Sequence, residues 1–317
     1  MLKDYSGLLL SFLIAFLSTL ISRLHLSLDP LVLSIIFGML FSNMLAKREF
    51  LGKGINVMLR LFLPIGIALY GSQLTLSNSL DFTKWIIILA VFLATFLFTV
   101  LVSSALGLSR RLSILLASGL SICGASAIAI ISPLIRARKE ETSISLIVIM
   151  IIGLTTLVFY PLLYDLLGLK LNDFTLLSGT TIPMMGQVKV TALRVAGAEG
   201  LAEALRYKLI RVSMLFFLVI GIILLFRERE KGFHLPWFML IFMILAIVVN
   251  LTERAADVRQ ILQPWSSFFL SSGLAAIGLS VEFESITIEG SRPLFAVFIS
   301  WGLILSGTIL LLRLLNV

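Results

Sequence analysis

The chain has 317 residues, of which 59% are hydrophobic and 13% charged, and its mean hydropathy is +1.09. So little charge cannot cover a soluble domain of this size, and the alternating ten-residue strands of a β-barrel are missing, which leaves an all-α polytopic membrane protein. The net charge of +8 reads as basic cytoplasmic loops, since no basic stripe with interleaved aromatics points to nucleic acid, and the single cysteine, Cys123, excludes an intramolecular disulfide and a cysteine-cluster metal site.

A first apolar run covers 8–22 behind Lys3. No small-x-small cleavage pattern follows it, so it reads as a retained helix. Apolar segments then cover about 30–46, 56–74, 85–106, 112–135, 142–167, 175–197, 205–226, 236–251, 265–281 and 293–315. This predicts about 10–11 transmembrane segments in one membrane domain, residues 1–317. Trp85, Trp237, Trp265 and Trp301 mostly lie near segment ends, as interfacial anchors would. If all eleven segments cross, the Lys and Arg of the loops divide evenly between the two sides. If the fifth enters and returns on one side, they divide roughly 15 to 7, with both termini on the basic, cytoplasmic side.

That fifth segment holds the stretch 118–133, SGLSICGASAIAIISP. In lipid every backbone N–H and C=O needs an internal partner. A Gly/Ser-rich interruption therefore fits where backbone lines a polar cavity, or, on the other reading, where small residues let two helices pack closely. SGLSICGAS at 118–126 matches SGLAAIGLS at 272–280 in five of nine positions, an offset of 154. Two breaks at corresponding places in halves 30–167 and 175–315 are what an inverted repeat with interrupted helices and a midplane site requires. Rival echoes pair Ser178-Gly179 and Ile182 with Ser118-Gly119 and Ile122, and Gly66-Ile67-Ala68 and Gly71 with Gly273-Leu274-Ala275 and Gly278. The 154 offset is preferred because it places each break one segment before the end of its half.

The seventh segment reads SGTTIPMMGQVKVTALRVAG. Pro183 and Gly186 can interrupt a helix. Lys189 is the basic residue placed well inside a segment, where a charge costs about 2.5–3.5 kcal/mol. It answers either to a solute or, if the segment is shifted, to the interface by snorkelling. Gln187 and Lys189 share a site only if the helix breaks near Gly186, because residues two apart face different ways. Arg206, Lys208 and Arg211 open the eighth segment and read as cytoplasmic snorkelling, with an anion vestibule as the alternative. The mixed run Arg136, Arg138, Lys139, Glu140, Glu141 reads as a solvated loop, and Asn250 as a helix-end cap or a site contact. No Asp lies deep in a segment, and His25 and His234 fall in loops. No phosphate loop, zinc helix or nucleophile elbow is present, so the chain is not expected to be an enzyme or an ATPase and calls for no cofactor or metal.

At these residues the sequence resembles the YeiH-type family of bacterial inner-membrane proteins, described as sulfate exporters. The matching pieces are SICGASAI (121–128) with Pro133 and Glu140, Gln187-Val188, KLIRV (208–212), Pro236-Trp237-Phe238 with Asn250, and AAIGL (275–279). The resemblance covers most of the chain. It implies a fold related to the bile-acid symporters and cation/proton antiporters: inverted repeats, crossing broken helices, a core and a panel domain, and a homodimer with elevator-like motion. Many members carry a His-Glu pair four and three residues before the Gln. Here those positions are Pro183 and Met184, and any role of that pair does not carry over.

The sequence is therefore read as a multi-pass inner-membrane secondary transporter of a small anion, sulfate or a related sulfur oxyanion or sulfonate. Ser121, Cys123, Gly124, Ala125 and Ser126 at one break, Gly273 and Gly278 at the other, and Gln187 and Lys189 between them form the expected substrate site. Two half-helix N-termini and Lys189 would offer about +2. The competing readings are a sodium-coupled organic-acid symporter and a receptor or scaffold that moves nothing, the last of which predicts tolerance of bulky residues at Gly124 and Gly278.

Overall fold

The computed structural model describes residues 5–24, 29–44, 51–74, 82–225, 237–280 and 291–315. His25, His234 and Pro236 lie outside the described residues. Twelve helices and no strands occur among those described: α1 Ser6–Leu24, α2 Pro30–Met44, α3 Gly52–Gln73, α4 Phe82–Ala105, α5 Arg110–Ser121, α6 Ala125–Leu134, α7 Lys139–Leu167, α8 Leu171–Thr181, α9 Met185–Leu225, α10 Trp237–Leu251, α11 Ala255–Gly278 and α12 Ser291–Leu315. α9 is broken at Gly197 (φ 65, ψ −162), which divides it into α9a (185–196) and α9b (198–225).

Six helices are long and apolar enough to cross a membrane: α1, α3, α4, α7, α9 and α12. Two of the eleven apolar segments fold back: the fifth, as one of its two readings had it, and the seventh, which had been expected to cross. α5 and α6 form a hairpin with its tip at Ile122-Cys123-Gly124. Both arms end at one level, because Ser109, the N-cap of α5, donates to Glu141 Oε1 at 2.5 Å, and Ser132 near the end of α6 hydrogen-bonds Thr142 at 2.6 Å. Small residues permit the fold: a Cβ on Gly119 would lie 2.8 Å from Ile128 on the opposite arm.

The second hairpin pairs α8 with α9a around Ile182-Pro183-Met184. Gly200 lies against Thr175 and Gly179 against Ala204, so the start of α9b stands beside α8. The twelve residues of α9a, about 18 Å of helix, must therefore return from the tip to the level of Thr175. α7, whose 29 residues span about 43 Å, joins the two. Hairpin 1 lies at its N-terminal end and hairpin 2 at its C-terminal end, so they enter from opposite faces and meet tip to tip. Two returning segments, rather than one, remove the parity that put both termini on one side.

The helices sort into two groups. α1, α2, α3, α10 and α11 pack on one another, while α12 joins α4–α9 through α4 and α7. Contacts between the groups are sparse and run mainly from α2 and α11 to α6 and α7. Trp301 belongs to this packing rather than to an interface: it is buried in α12 against Tyr160.

The break expected at Gly273–Gly278 is not one. α11 runs helical through both positions, and its glycines seat neighbouring backbones. A Cβ on Gly278 would lie 2.3 Å from Ile35 O, and one on Gly38 of α2 2.5 Å from Ala275 O. The small-residue seam is the correct reading there, and the second interruption lies at 182–184. The echo of Ser118-Gly119 and Ile122 in Ser178-Gly179 and Ile182, an offset of 60, marks the two structural breaks.

Gly278→Leu is expected to push α2 from α11, whatever the protein does, at about 1–3 kcal/mol or more. Thermal unfolding in detergent checks this. Gly302→Leu, at an open position, is the control, and equal melting of the two variants would refute the seam. Tolerance at Gly278 therefore no longer separates a transporter from a scaffold.

Candidate functional site

A helix ending inside a membrane leaves its last carbonyls without intrahelical partners and its C-terminus partly negative. Both hairpins place such an end at the centre of the protein. α5 presents the carbonyls of Leu120, Ser121 and Ile122, and α8 those of Ile182 and Pro183. Ile182 precedes proline and is extended (φ −69, ψ 129), which turns its carbonyl out of the helix.

Lys208 and Arg211, three apart on α9b, close both ends. Lys208 Nζ donates to Ile122 O (2.8 Å), Ile182 O (2.7 Å) and Pro183 O (2.7 Å). The three carbonyls match the three donors that an ammonium carries. Arg211 donates to Ile182 O at 3.0 Å and to the carbonyls of Ser121 and Leu120. Each side chain thus bridges the two hairpins. Both are buried, at 0% and 1% exposure, where interface snorkelling had been expected. The reason is the hairpin: α9b starts at the protein's edge near 198, so ten residues bring Lys208 about 15 Å inward.

Among the described residues no carboxylate lies within ion-pair distance of either cation; the ionisable groups that bear on them are each other, Cys123 and Tyr160. The helix ends contribute little net charge. Two C-termini at about −0.5 and two N-termini, of α6 and α9a, at about +0.5 cancel. The pair leaves about +2 at the tips.

The expected residues of hairpin 1 gather here. Ser121 is fully buried and its hydroxyl has no hydrogen-bond partner. Cys123 lies 4.0 Å from the Tyr70 hydroxyl of α3, which also interacts with Ser126, so this tip faces the other helix group. Gly124 adopts φ 69, ψ −121, a conformation open to glycine, and its missing Cβ makes room for Met184 of the opposite tip, 2.6 Å from where that atom would be. Ala125 is the buried first residue of α6.

Hairpin 2 contributes less than expected. Gln187 is buried in the first turn of α9a over Gly153 of α7, with Nε2 3.4 Å from Met184 Sδ. Lys189 is exposed and outside the cluster. The break precedes Met185 instead of falling at Gly186, so Gln187 and Lys189 share one regular helix and face opposite ways. Gly273 and Gly278 lie in the α2–α11 seam. Asn250 is the cap: it donates to Leu74 O at 2.8 Å at the end of α3, with Arg259 beside it. Glu141 is buried, capping α7 through Arg138 N (2.8 Å), so the charged run expected to be a solvated loop opens a helix.

Lys208→Met should destabilise the protein by roughly 3 kcal/mol or more, because three buried carbonyls lose their donor at about 1–3 kcal/mol each. Arg211→Lys should fail to compensate, since a point ammonium cannot span both tips as the guanidinium fork does. Melting temperature, with hydrogen exchange over 118–126 and 180–186, reads both effects. A Lys208→Met protein that melts like the wild type would disprove the bridge.

The profile of the family described as conserved hypothetical protein 698 matches residues 6–297. A UPF0324 membrane protein of Archaeoglobus fulgidus is 33% identical over 98% of this chain and 93% of its own length. One of Wolinella succinogenes is 30% identical over 92% and 90%, and one of Staphylococcus aureus strain COL is 28% identical over 93% and 92%. No solved structure matches. The chain belongs to the UPF0324 family of multi-pass membrane proteins.

Proposed function

We propose that this protein is a secondary transporter of a small anion in the bacterial inner membrane, with its site at the meeting point of the two hairpin tips. One observation carries the reading: Lys208 and Arg211 are buried together, and among the described residues no acid lies within ion-pair distance of them. A buried pair of like charges is costly unless something opposite joins it. The backbone carbonyls satisfy hydrogen bonds but leave about +2. A divalent oxyanion of the sulfate class, or a related sulfur oxyanion or sulfonate, offsets that charge, whereas a cation is repelled.

Donors suit such a ligand. Arg211 spends three of its five N–H groups on carbonyls and keeps two. Ser121 holds an unpartnered hydroxyl. The first N–H groups of α6 and α9a have no intrahelical acceptor and point to the tips. Lys208 has no donor to spare and works as the clamp. Hairpins from opposite faces, set against a second helix group by few contacts, suit alternating exposure of such a site.

Thermal unfolding of the purified protein across sulfate, thiosulfate, sulfite, taurine, small carboxylates and sodium tests this. An oxyanion should raise the melting temperature with dose, by about 2.7 kcal/mol at a hundred times its Kd. Stabilisation by sodium or an organic acid alone would favour symport, and no stabilisation by any oxyanion would sink the anion reading. Ser121→Ala should weaken binding about tenfold, the worth of one hydrogen bond to a charged group. It should leave the ligand-free protein as stable as before, because no existing partner is lost. A variant that melts low without ligand would assign Ser121 to structure instead.

A further inference from the structure

Lys189 lies one turn beyond the tip of hairpin 2. Its side chain is exposed, while Gln187, Val188, Thr191 and Ala192 on the same helix turn inward. An ammonium facing hydrocarbon at that depth costs about 2.5–3.5 kcal/mol. Snorkelling does not rescue it. Helical Cα–Cβ bonds lean toward the N-terminus, and the N-terminus of α9a is the tip, so the side chain leans inward. Seven further residues, roughly 10 Å of helix, separate it from the outer end at 196. Lys189 therefore needs water at membrane depth.

Hairpin 1 differs at the matching place. Sixty residues earlier stands Ala129, 1% exposed, on an arm that packs against α2 and α11 of the other helix group. α6 carries no basic residue. One return arm is covered and the other exposed, so the tips are approached from the hairpin 2 side. That side is marked in the chain: Arg313, near the end of α12, donates to Leu167 O at 3.2 Å, and Leu167 ends α7 just before hairpin 2 begins.

We propose that a water-filled path runs along α9a to the hairpin tips, opening on the membrane face where α12 ends, and that Lys189 guides small anions along it to Arg211. The guiding role rests on the anion reading above. The path rests on the exposure of α9a alone. A cation in a narrow passage with low-dielectric walls concentrates anions and raises their association rate.

Cys123 is the sole cysteine and is buried, so Lys189→Cys and Ala129→Cys are made in the otherwise unchanged chain and read against the labelling of the wild type. Right-side-out and inverted vesicles are treated with methanethiosulfonate ethylsulfonate, an anionic reagent that does not cross membranes, with a C-terminal tag marking the face. Lys189→Cys should react from the tagged face only, and several-fold more slowly with the stabilising oxyanion present. Ala129→Cys should stay unmodified. Reaction from the opposite face, reaction only with a lipid-soluble maleimide, or a ready disulfide between two copies at position 189 would overturn the path. For guidance, Lys189→Gln should slow anion association about tenfold at low salt, and Lys189→Arg should restore it; unchanged rates in Lys189→Gln would overturn that role. If no oxyanion stabilises the wild type, the anion reading fails while the labelling still decides the path. If anions bind and labelling fails, this inference alone falls.

Discussion

Five backbone carbonyls, from Leu120, Ser121, Ile122, Ile182 and Pro183, meet in the middle of a protein whose surroundings offer no water, and two side chains satisfy them. Everything distinctive in the fold depends on that closure. A hairpin that stops inside a membrane is unstable unless its broken end finds donors. Here the donors for both ends come from α9b, the helix that follows the second hairpin. The tips are held to a third element as well as to each other, and the contact of Gly124 with Met184 works because the clamp sets the distance.

The same device recurs at lower stakes. α3 ends at Gln73, and Arg259 and Asn250 take up the carbonyls of Ser72 and of Leu74, the residue that caps it. There the Arg259 side chain is only partly buried, and water and salt share the charge. At the hairpin tips both cations are buried, and their charge is screened far less. Identical chemistry thus caps a helix in one place and makes a strongly positive core in the other; burial alone separates the two outcomes.

Much of this was legible in the sequence, and what was missed has a physical cause. The all-helical membrane architecture follows from composition, and the fold-back of 112–135 from its Gly/Ser content; the loop charges, counted with a single returning segment, lose their argument once a second one is present. The second hairpin was hidden because α8 and α9a are polar enough to resemble one short crossing, with Pro183 and Gly186 equally able to break it. Choosing Gly186 brought Lys189 into the site. The break at Ile182 turns it out and leaves the inner face to Gln187. Lys208 and Arg211 looked like interfacial residues because apolar character rises only near 205, whereas the helix starts seven residues earlier. Gly273 and Gly278 matched the first break by residue type, but close backbone packing and helix interruption call for the same small residues. The pattern does not separate them without knowing what lies opposite.

The two buried cations divide their work, and chemistry decides which does what. An ammonium has three donors on one atom, and Lys208 spends all three on carbonyls within 2.8 Å. Moving any of them to a ligand would expose a carbonyl at a cost comparable to the bond gained. A guanidinium has five donors in a plane, and Arg211 spends three, so its spare edge meets a ligand without loosening the clamp. An anion held there is close to Ser121 and to the first turn of α6, the hairpin whose tip touches Tyr70 of the other helix group. On the proposed function, binding at Arg211 would therefore act beside the junction between the two groups, where contacts are few.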